Sequence, residues 1–327
     1  MRVLQVASTY GKRCGVGTFA GNLHAALRCS GVKVKTVRSV PDGARADVTI
    51  LHHEWGLFPD DGEARETVQR CPGPVVLFAH SGGGIERFSD TVEGFCALSP
   101  ELVGPTPRPV CAMPHPAWTP ARLEDRAVLR ARFGLPADRT VVGSSGFLMR
   151  QREFPEVLER LLPHARAHGW FVDLVSSRWS ADVPELRQHL QSLARGYPDH
   201  LRFGTRFLDG PELNARLQAC DLIWCWTKMP SRPYGSGSAS DQYASGTRMF
   251  VADKAQHAHV LGRPNVVRGP AELDAFVDAL AVEIGRGVFT RHDPSALAWE
   301  HCVPVLTEFL TRVVSAPAPA RAATARP

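Results

Sequence analysis

The chain alternates short, unbroken apolar runs with longer stretches in which apolar residues recur every three or four positions. Val3–Ala7, Val32–Val37, Val48–His52, Val75–Ala79, Phe95–Leu98 and Pro109–Met113 are runs of strand length that do not alternate polar with apolar. That is expected of strands in a parallel sheet with helices on both faces. Between the first two runs, Phe19, Leu23, Ala26 and Leu27 fall on one helical stripe behind the glycine loop Gly11, Gly15, Gly17. A second series starts at Thr140. Strand Val141–Ser145 is followed by a helix presenting Phe154, Val157, Leu158, Leu161 and Leu162. Strand Phe171–Val175 then precedes a helix near 183–194. Asp209 and Glu212 have N-cap and N3 spacing for a helix ending at Ala219. Strand Leu222–Trp226, a Gly/Ser loop, a short helix near 239–245 and strand Arg248–Ala252 follow. A helix after Pro270 carries Leu273, Phe276, Val277, Leu280 and Ile284, and Asp293–Pro294 opens the last helix, with Trp299, Val303, Leu306, Leu310 and Val313 on its face.

Two strand–helix series, each opening with its own strand and glycine loop, predict an α/β protein of two Rossmann-like domains facing across a cleft. The expected division is residues 1–118, a linker over 119–139 rich in Arg, Ala and Pro, a second domain over 140–293, a closing helix over 294–314 and a low-complexity tail over 315–327.

The 327 residues are 44% hydrophobic and 22% charged, an ordinary globular balance. The net charge of +5 suits an anionic small molecule and is too diffuse to indicate nucleic acid, for which no motif is present. The eight cysteines form no CxxC pair and no zinc-spaced cluster, so free thiols in a reducing compartment are expected. The apolar run in MRVLQVAST is too short for a signal peptide, and no segment is long enough to span a bilayer, which predicts a cytoplasmic protein without an integral membrane segment. The oligomeric state is not legible.

Ligands of such sheets bind beyond the carboxyl ends of the strands, so the polar residues there are the candidates. Ser236-Gly237-Ser238-Ala239-Ser240-Asp241 precedes a short helix, where small side chains and free N–H groups would admit a diphosphate; a surface loop has the same local composition. Gly15-Val16-Gly17 opens a helix in the first half, without the full GxGxxG of a dinucleotide site or an acid placed for a ribose, which disfavours a dehydrogenase. Leu51-His52-His53-Glu54-Trp55 ends a strand with polar groups; neighbouring imidazoles on a strand point to opposite faces, which argues against a shared metal. His80 ends the run VVLFAH, either capping a turn or touching a sugar hydroxyl. Arg150 and Arg152 follow strand 141–147 at an expected helix start, where cations oppose the helix dipole and could instead neutralise a diphosphate leaving group.

In this order the motifs resemble glycosyltransferase family 4, retaining enzymes of the GT-B fold. Arg13-Cys14-Gly15-Val16-Gly17-Thr18-Phe19 is similar to the family's RRCGIATFT-like loop and His53-Glu54-Trp55-Gly56-Leu57-Phe58 to its QHEYGIF-like segment. His80 stands where the family has a histidine on the donor sugar, and Met113-Pro114-His115-Pro116 resembles its IPHG-like turn. Gly146–Glu153 resembles the phosphate-binding turn, with Arg152 at the family's lysine position and Met149 at its arginine position, for which Arg150 would substitute. Gly204-Thr205-Arg206-Phe207 looks like the nucleobase turn, and Ser236–Thr247 like the closing segment, with Asp241 in place of the ribose glutamate and Pro233 in place of the sugar-side one. Trp299-Glu300 resembles the start of the helix that returns to the first domain.

The resemblance implies sugar transfer from a nucleotide-diphosphate sugar to a small-molecule acceptor, with secondary metabolism as one setting for it, and with no metal and no other cofactor. It implies catalytic roles for His80, Arg152 and Arg150 and donor contacts from Gly15, Val16, Gly17, Ser236, Gly237, Ser238 and Asp241. Arg206 and Phe207 would meet the nucleobase, and His53, Glu54 and His115 the acceptor. Pro233 also motivates an alternative, a non-catalytic nucleotide-sugar binder or partner protein of the same fold.

Overall fold

The computed structural model describes residues 1–316 except 13, 59, 100–101, 178–182 and 229–234. It divides into two compact units, one holding Met1–His115, Gly235 and the chain from Trp299, the other the remaining described residues.

The first unit has a six-stranded parallel sheet. Its strands are β1 (Arg2–Val6), β2 (Lys33–Val37), β3 (Val48–His53), β4 (Val75–Ala79), β5 (Gly94–Ala97) and β6 (Val110–Ala112), in the order β2-β1-β3-β4-β5-β6. Helix α1 (Gly15–Cys29) connects β1 to β2 and α2 (Asp61–Arg70) connects β3 to β4. The strand order turns back at β1, so the crevice beyond β1 and β3 is the topological switch point at which such sheets bind ligands. β3, β4 and β5 are buried throughout, as their unalternating apolar runs require.

The second unit repeats the plan. Strands β7 (Val141–Phe147), β8 (Phe171–Ser177), β9 (Leu201–Gly204), β10 (Leu222–Cys225), β11 (Arg248–Ala252) and β12 (Val266–Gly269) form a parallel sheet in the order β12-β11-β10-β7-β8-β9, with the switch point between β7 and β10. Its helices are α3 (Arg126–Phe133), α4 (Phe154–His168), α5 (Pro184–Gly196), α6 (Gly210–Gln218), α7 (Gly237–Tyr243) and α8 (Leu273–Gly285). The Asp209 carboxylate caps α6 by accepting from Glu212 N at 2.9 Å, as the sequence spacing predicts. Within the stretch read as a linker, α3 is fixed to this unit: Arg126 and Arg130 both pair with Asp221, whose carboxylate also accepts from Val141 N.

The final helix, α9 (Trp299–Ser315), turns its stripe of Val303, Leu306, Phe309, Leu310 and Val313 into the core of the first unit. Gly94 on β5 makes room for it, since a Cβ there would lie 2.9 Å from the Phe309 ring.

Some elements differ from the sequence reading. β9 and β12 are absent from it because LRFG and VVRG are too short and too polar to stand out from their loops. Asp293–Pro294 opens a short 3-10 turn at Ser295–Leu297, and α9 begins only at Trp299. Arg150 and Arg152 likewise occupy a 3-10 turn, and α4 starts at Phe154. The short helix read near 239–245 begins at Gly237, because the Ser236 side chain caps it by accepting from Ala239 N. Arg13, Pro233 and the tail beyond 316 lie outside the described residues. Among those residues no helix is long and apolar enough to cross a membrane. All eight cysteines are free thiols, six of them buried.

Candidate functional site

The switch point of the second sheet carries a built cationic cradle. β7 ends at Gly146–Phe147, and the 3-10 turn that follows brings Arg152 back over the strand end. Gly146 permits this: a Cβ there would stand 3.3 Å from Arg152 Nε. The buried guanidinium donates to Thr227 Oγ1 at 2.9 Å, just beyond β10, and to Ser238 Oγ in the first turn of α7. One side chain thus ties together the loops after β7 and β10 and the head of α7. That helix is pinned in turn by Gln242, whose amide donates to Ser145 O at 2.9 Å.

A second cation joins this end of the sheet. Lys254, two residues past β11, is buried with its ammonium 3.6 Å from the Trp226 ring centroid, and burial lowers its pKa. Trp226 is oriented by its indole N–H, which donates to Glu153 at 3.0 Å, and Glu153 holds a left-handed backbone conformation (φ 43°). Cys225 and His257 lie 3.6 Å apart beneath the loops. The His257 ring donates to Ala252 O and is held down to about 4 by burial, while burial pushes the Cys225 thiol up to about 11. Both are neutral and play a packing role. A sheet end with two buried cations and a serine-lined helix start is suited to an anion.

The other predicted residues of this unit separate. Gly237 and Ser238 form the first turn of α7, and Asp241 lies one turn on, half-buried, its carboxylate without a hydrogen-bond or ion-pair partner among the described residues. Burial pushes its carboxyl up to about 7. Arg150 does not accompany Arg152: it is exposed and lies 3.9 Å from the equally exposed Glu185. Arg206, also exposed, pairs with Glu212, next to the half-buried Phe207. Lys254, Trp226 and Thr227 were missed by sequence reasoning. Their signal was the same as that used for His80: polar or aromatic groups just beyond strand ends.

In the first unit the residues beyond β3 and β4 form a histidine-aromatic cluster. His52 Nδ1 and His80 Nε2 are 2.8 Å apart, with the rings stacked at 5.2 Å. Phe19 of α1 meets His80 at 5.0 Å and His115 at 5.3 Å edge-on, and Trp299 at 5.2 Å. Burial holds His52 down to about 3 and His80 well below its ordinary value, so both imidazoles are neutral and share one proton between the facing nitrogens. His52 Nε2 and Trp299 Nε1 are buried without a hydrogen-bond partner among the described residues, which leaves polar capacity for a ligand or water in this cluster.

His53 and Glu54 are not brought to it. His53 points to the opposite face of β3, stacked on Phe58 at 5.3 Å and edge-on to Trp55 at 4.7 Å. The Glu54 carboxylate turns back to accept from Gly56 N at 2.7 Å. Among the described residues no group of three or more His, Cys, Asp or Glu is placed to hold a metal.

The glycine loop before α1 divides by position. The Cys14 sulfur caps the helix by accepting from Gly17 N at 3.2 Å. Gly17 is required by packing, since a Cβ would fall 2.3 Å from Thr9 O and 2.8 Å from Lys12 O. Around Gly15 the space is open for 4 Å, and the N–H groups of Gly15 and Val16, in the first turn, have no helical acceptor.

No family model matches the chain, and no curated protein sequence matches it significantly. Solved structures do. A glycosyltransferase from Rickettsia africae superposes with a TM-score of 0.70 at 8% identity, covering 97% of this chain and 99% of that one. HepE of Anabaena, in complex with UDP and glucose, gives 0.64 at 14% identity over 97% and 100%. A trehalose-6-phosphate protein of E. coli bound with UDP-2-fluoro glucose gives 0.60 at 12% identity over 96% and 95%. The chain therefore has the fold of GT-B glycosyltransferases, two Rossmann-like α/β units.

Proposed function

We propose that the protein is a glycosyltransferase of the retaining, family 4 type, moving a sugar from a nucleotide-diphosphate sugar to a small-molecule acceptor. The observation that carries this reading is the Arg152 cradle: a buried guanidinium at the switch point of the second sheet, bonded to Thr227 and to Ser238 at the head of α7. Two structural neighbours are complexes with UDP or a UDP-sugar, which supports a uridine donor.

On this reading the diphosphate sits against Arg152, Ser238, Gly237 and Lys254, and Asp241 accepts from the ribose. As the bond between the anomeric carbon and the β-phosphate oxygen breaks, the cations and N–H groups stabilise the charge that builds on the departing phosphate, so no metal is required. The acceptor oxygen bonds the anomeric carbon from the same face, and its proton passes to the leaving phosphate oxygen. His80, kept neutral by burial and held by His52, serves as a hydrogen-bonding partner for a sugar hydroxyl rather than as a charged acid. His115, Phe19 and Trp299 supply the acceptor-side surface. The acceptor class favoured is a small soluble molecule such as a secondary metabolite.

The test is release of the nucleoside diphosphate from a panel of nucleotide sugars, with the anomeric configuration of the transferred sugar read by proton NMR. An inverted product removes the retaining assignment. Donor binding without any turnover across acceptors would favour a non-catalytic binder.

A further inference from the structure

The amino ends of β1 and β2 border an open pocket of about 470 Å³ that the sugar-transfer reading does not use. Five cations line it and no acid does: Arg2 on β1, Arg28 in the last turn of α1, Lys33 and Lys35 on β2, and Arg45 before β3. Its floor is apolar, from Val3, Leu4, Val32 and Val34. Arg2 is neutralised by Asp47 at 2.8 Å. The side chains of Arg28, Lys33, Lys35 and Arg45 are exposed and have no hydrogen-bond or ion-pair partner among the described residues.

β2 is the edge strand of its sheet, and lysines on an edge discourage pairing with another chain. That reason covers Lys33 and Lys35, which sit two residues apart on one side of β2, roughly 6.6 Å along the strand. It does not cover Arg28 and Arg45, which come from a helix end and a loop and converge on the same space. Like charges gathered without counter-ions repel one another, and an ordinary solvated surface intersperses both signs. The chain's whole net charge is +5, so this one cavity holds as many cations as the entire excess. It also lies at the wrong end of the strands for the transfer reaction, whose candidate residues all follow strand carboxyl ends.

We propose that this cavity is a second anion site, for a ligand presenting at least two phosphate groups, because four unpaired cations exceed what one phosphate neutralises. The phosphates come either from a soluble polyphosphorylated molecule or from phosphodiester lipid headgroups. Both sources are probed with the full chain. Inorganic tripolyphosphate is titrated calorimetrically, and co-sedimentation is measured with phosphatidylglycerol/phosphatidylcholine vesicles at low and high salt. The comparison protein is R28Q/K33Q/K35Q/R45Q, whose altered side chains are exposed and unpartnered and do not lower the melting temperature; the milder K35Q/R45Q serves if they do. Loss of one tripolyphosphate site per chain in the variant assigns the soluble source. Salt-sensitive vesicle binding that falls by at least about tenfold in the variant assigns the lipid source. If neither probe binds, or both bind the variants as well as the parent protein, the site does not exist.

Discussion

His52, on β3, and His80, just beyond the adjacent β4, face each other nitrogen to nitrogen at 2.8 Å, buried against Phe19 and Phe78. The contact fixes which nitrogen of His80 is left for a ligand, and burial keeps the pair uncharged. With His53 also buried, at about 4, the linkage is definite. His52 and His53 protonate near 6.5 in the unfolded chain but only near 3 and 4 in the folded one, and His80 is lowered in the same direction. Between those values the unfolded state binds more protons, so their stabilising contribution is complete above about pH 6.5 and is lost as pH falls toward 3. Melting temperature should drop across this window, and less steeply in His52→Gln. An unchanged slope in the variant would contradict the buried-neutral pair.

Arg152 and Arg150 are two residues apart in sequence and differ completely in setting. Arg152→Ala should lower turnover of the donor by roughly a hundredfold, the scale of removing one fixed donor from a developing anion. Arg150→Ala, at an exposed side chain near Glu185, should change it less than about twofold. Steady-state kinetics on both variants separate the roles, and equal losses would argue against the cradle.

Asp241 should behave in the opposite sense to the histidines. Its carboxyl shifts from 3.8 to about 7 on folding, so the folded state keeps the proton longer. The stability cost is absent below about 3.8, grows as pH rises, and is complete above about 7. Asp241→Asn should therefore be more stable than the parent protein at pH 8 and not at pH 3.5. If its carboxylate accepts from the ribose, donor affinity rises through pH 7 in the parent protein and is flat in the variant.

Gly17→Ala should destabilise by ~1–3 kcal/mol, because its Cβ would overlap two carbonyl oxygens of the preceding loop. Gly15→Ala, in open space, should cost little folding stability. A melting experiment distinguishes them, and equal tolerance would mean that the loop before α1 is not held as described.

Much of this was legible because the physics is local. Unalternating apolar runs revealed β3, β4 and β10, and the Asp209–Glu212 spacing revealed the start of α6. Strand ends pointed to His80 and Arg152 through a rule about where parallel sheets bind. What stayed hidden was side-chain direction. His53 adjoins His52 within β3 and Glu54 follows it, yet His53 packs on the opposite face of the sheet and Glu54 caps its own loop. Arg150 and Arg152 diverge because residues two apart in a helical turn point to different sides. Lys254 carried the strand-end signal, but its pairing with Trp226, 28 residues away, emerges only when β10 and β11 lie side by side.

The most direct test measures thermal stability and nucleoside-diphosphate release with UDP-, GDP-, dTDP- and ADP-sugars, for the parent protein and Arg152→Ala side by side. The account predicts that at least one donor raises the melting temperature by mass action and is turned over, and that both responses collapse in the variant. Indifference of the parent protein to every donor, or an Arg152→Ala protein that binds and turns over donor as well as the parent does, would contradict it.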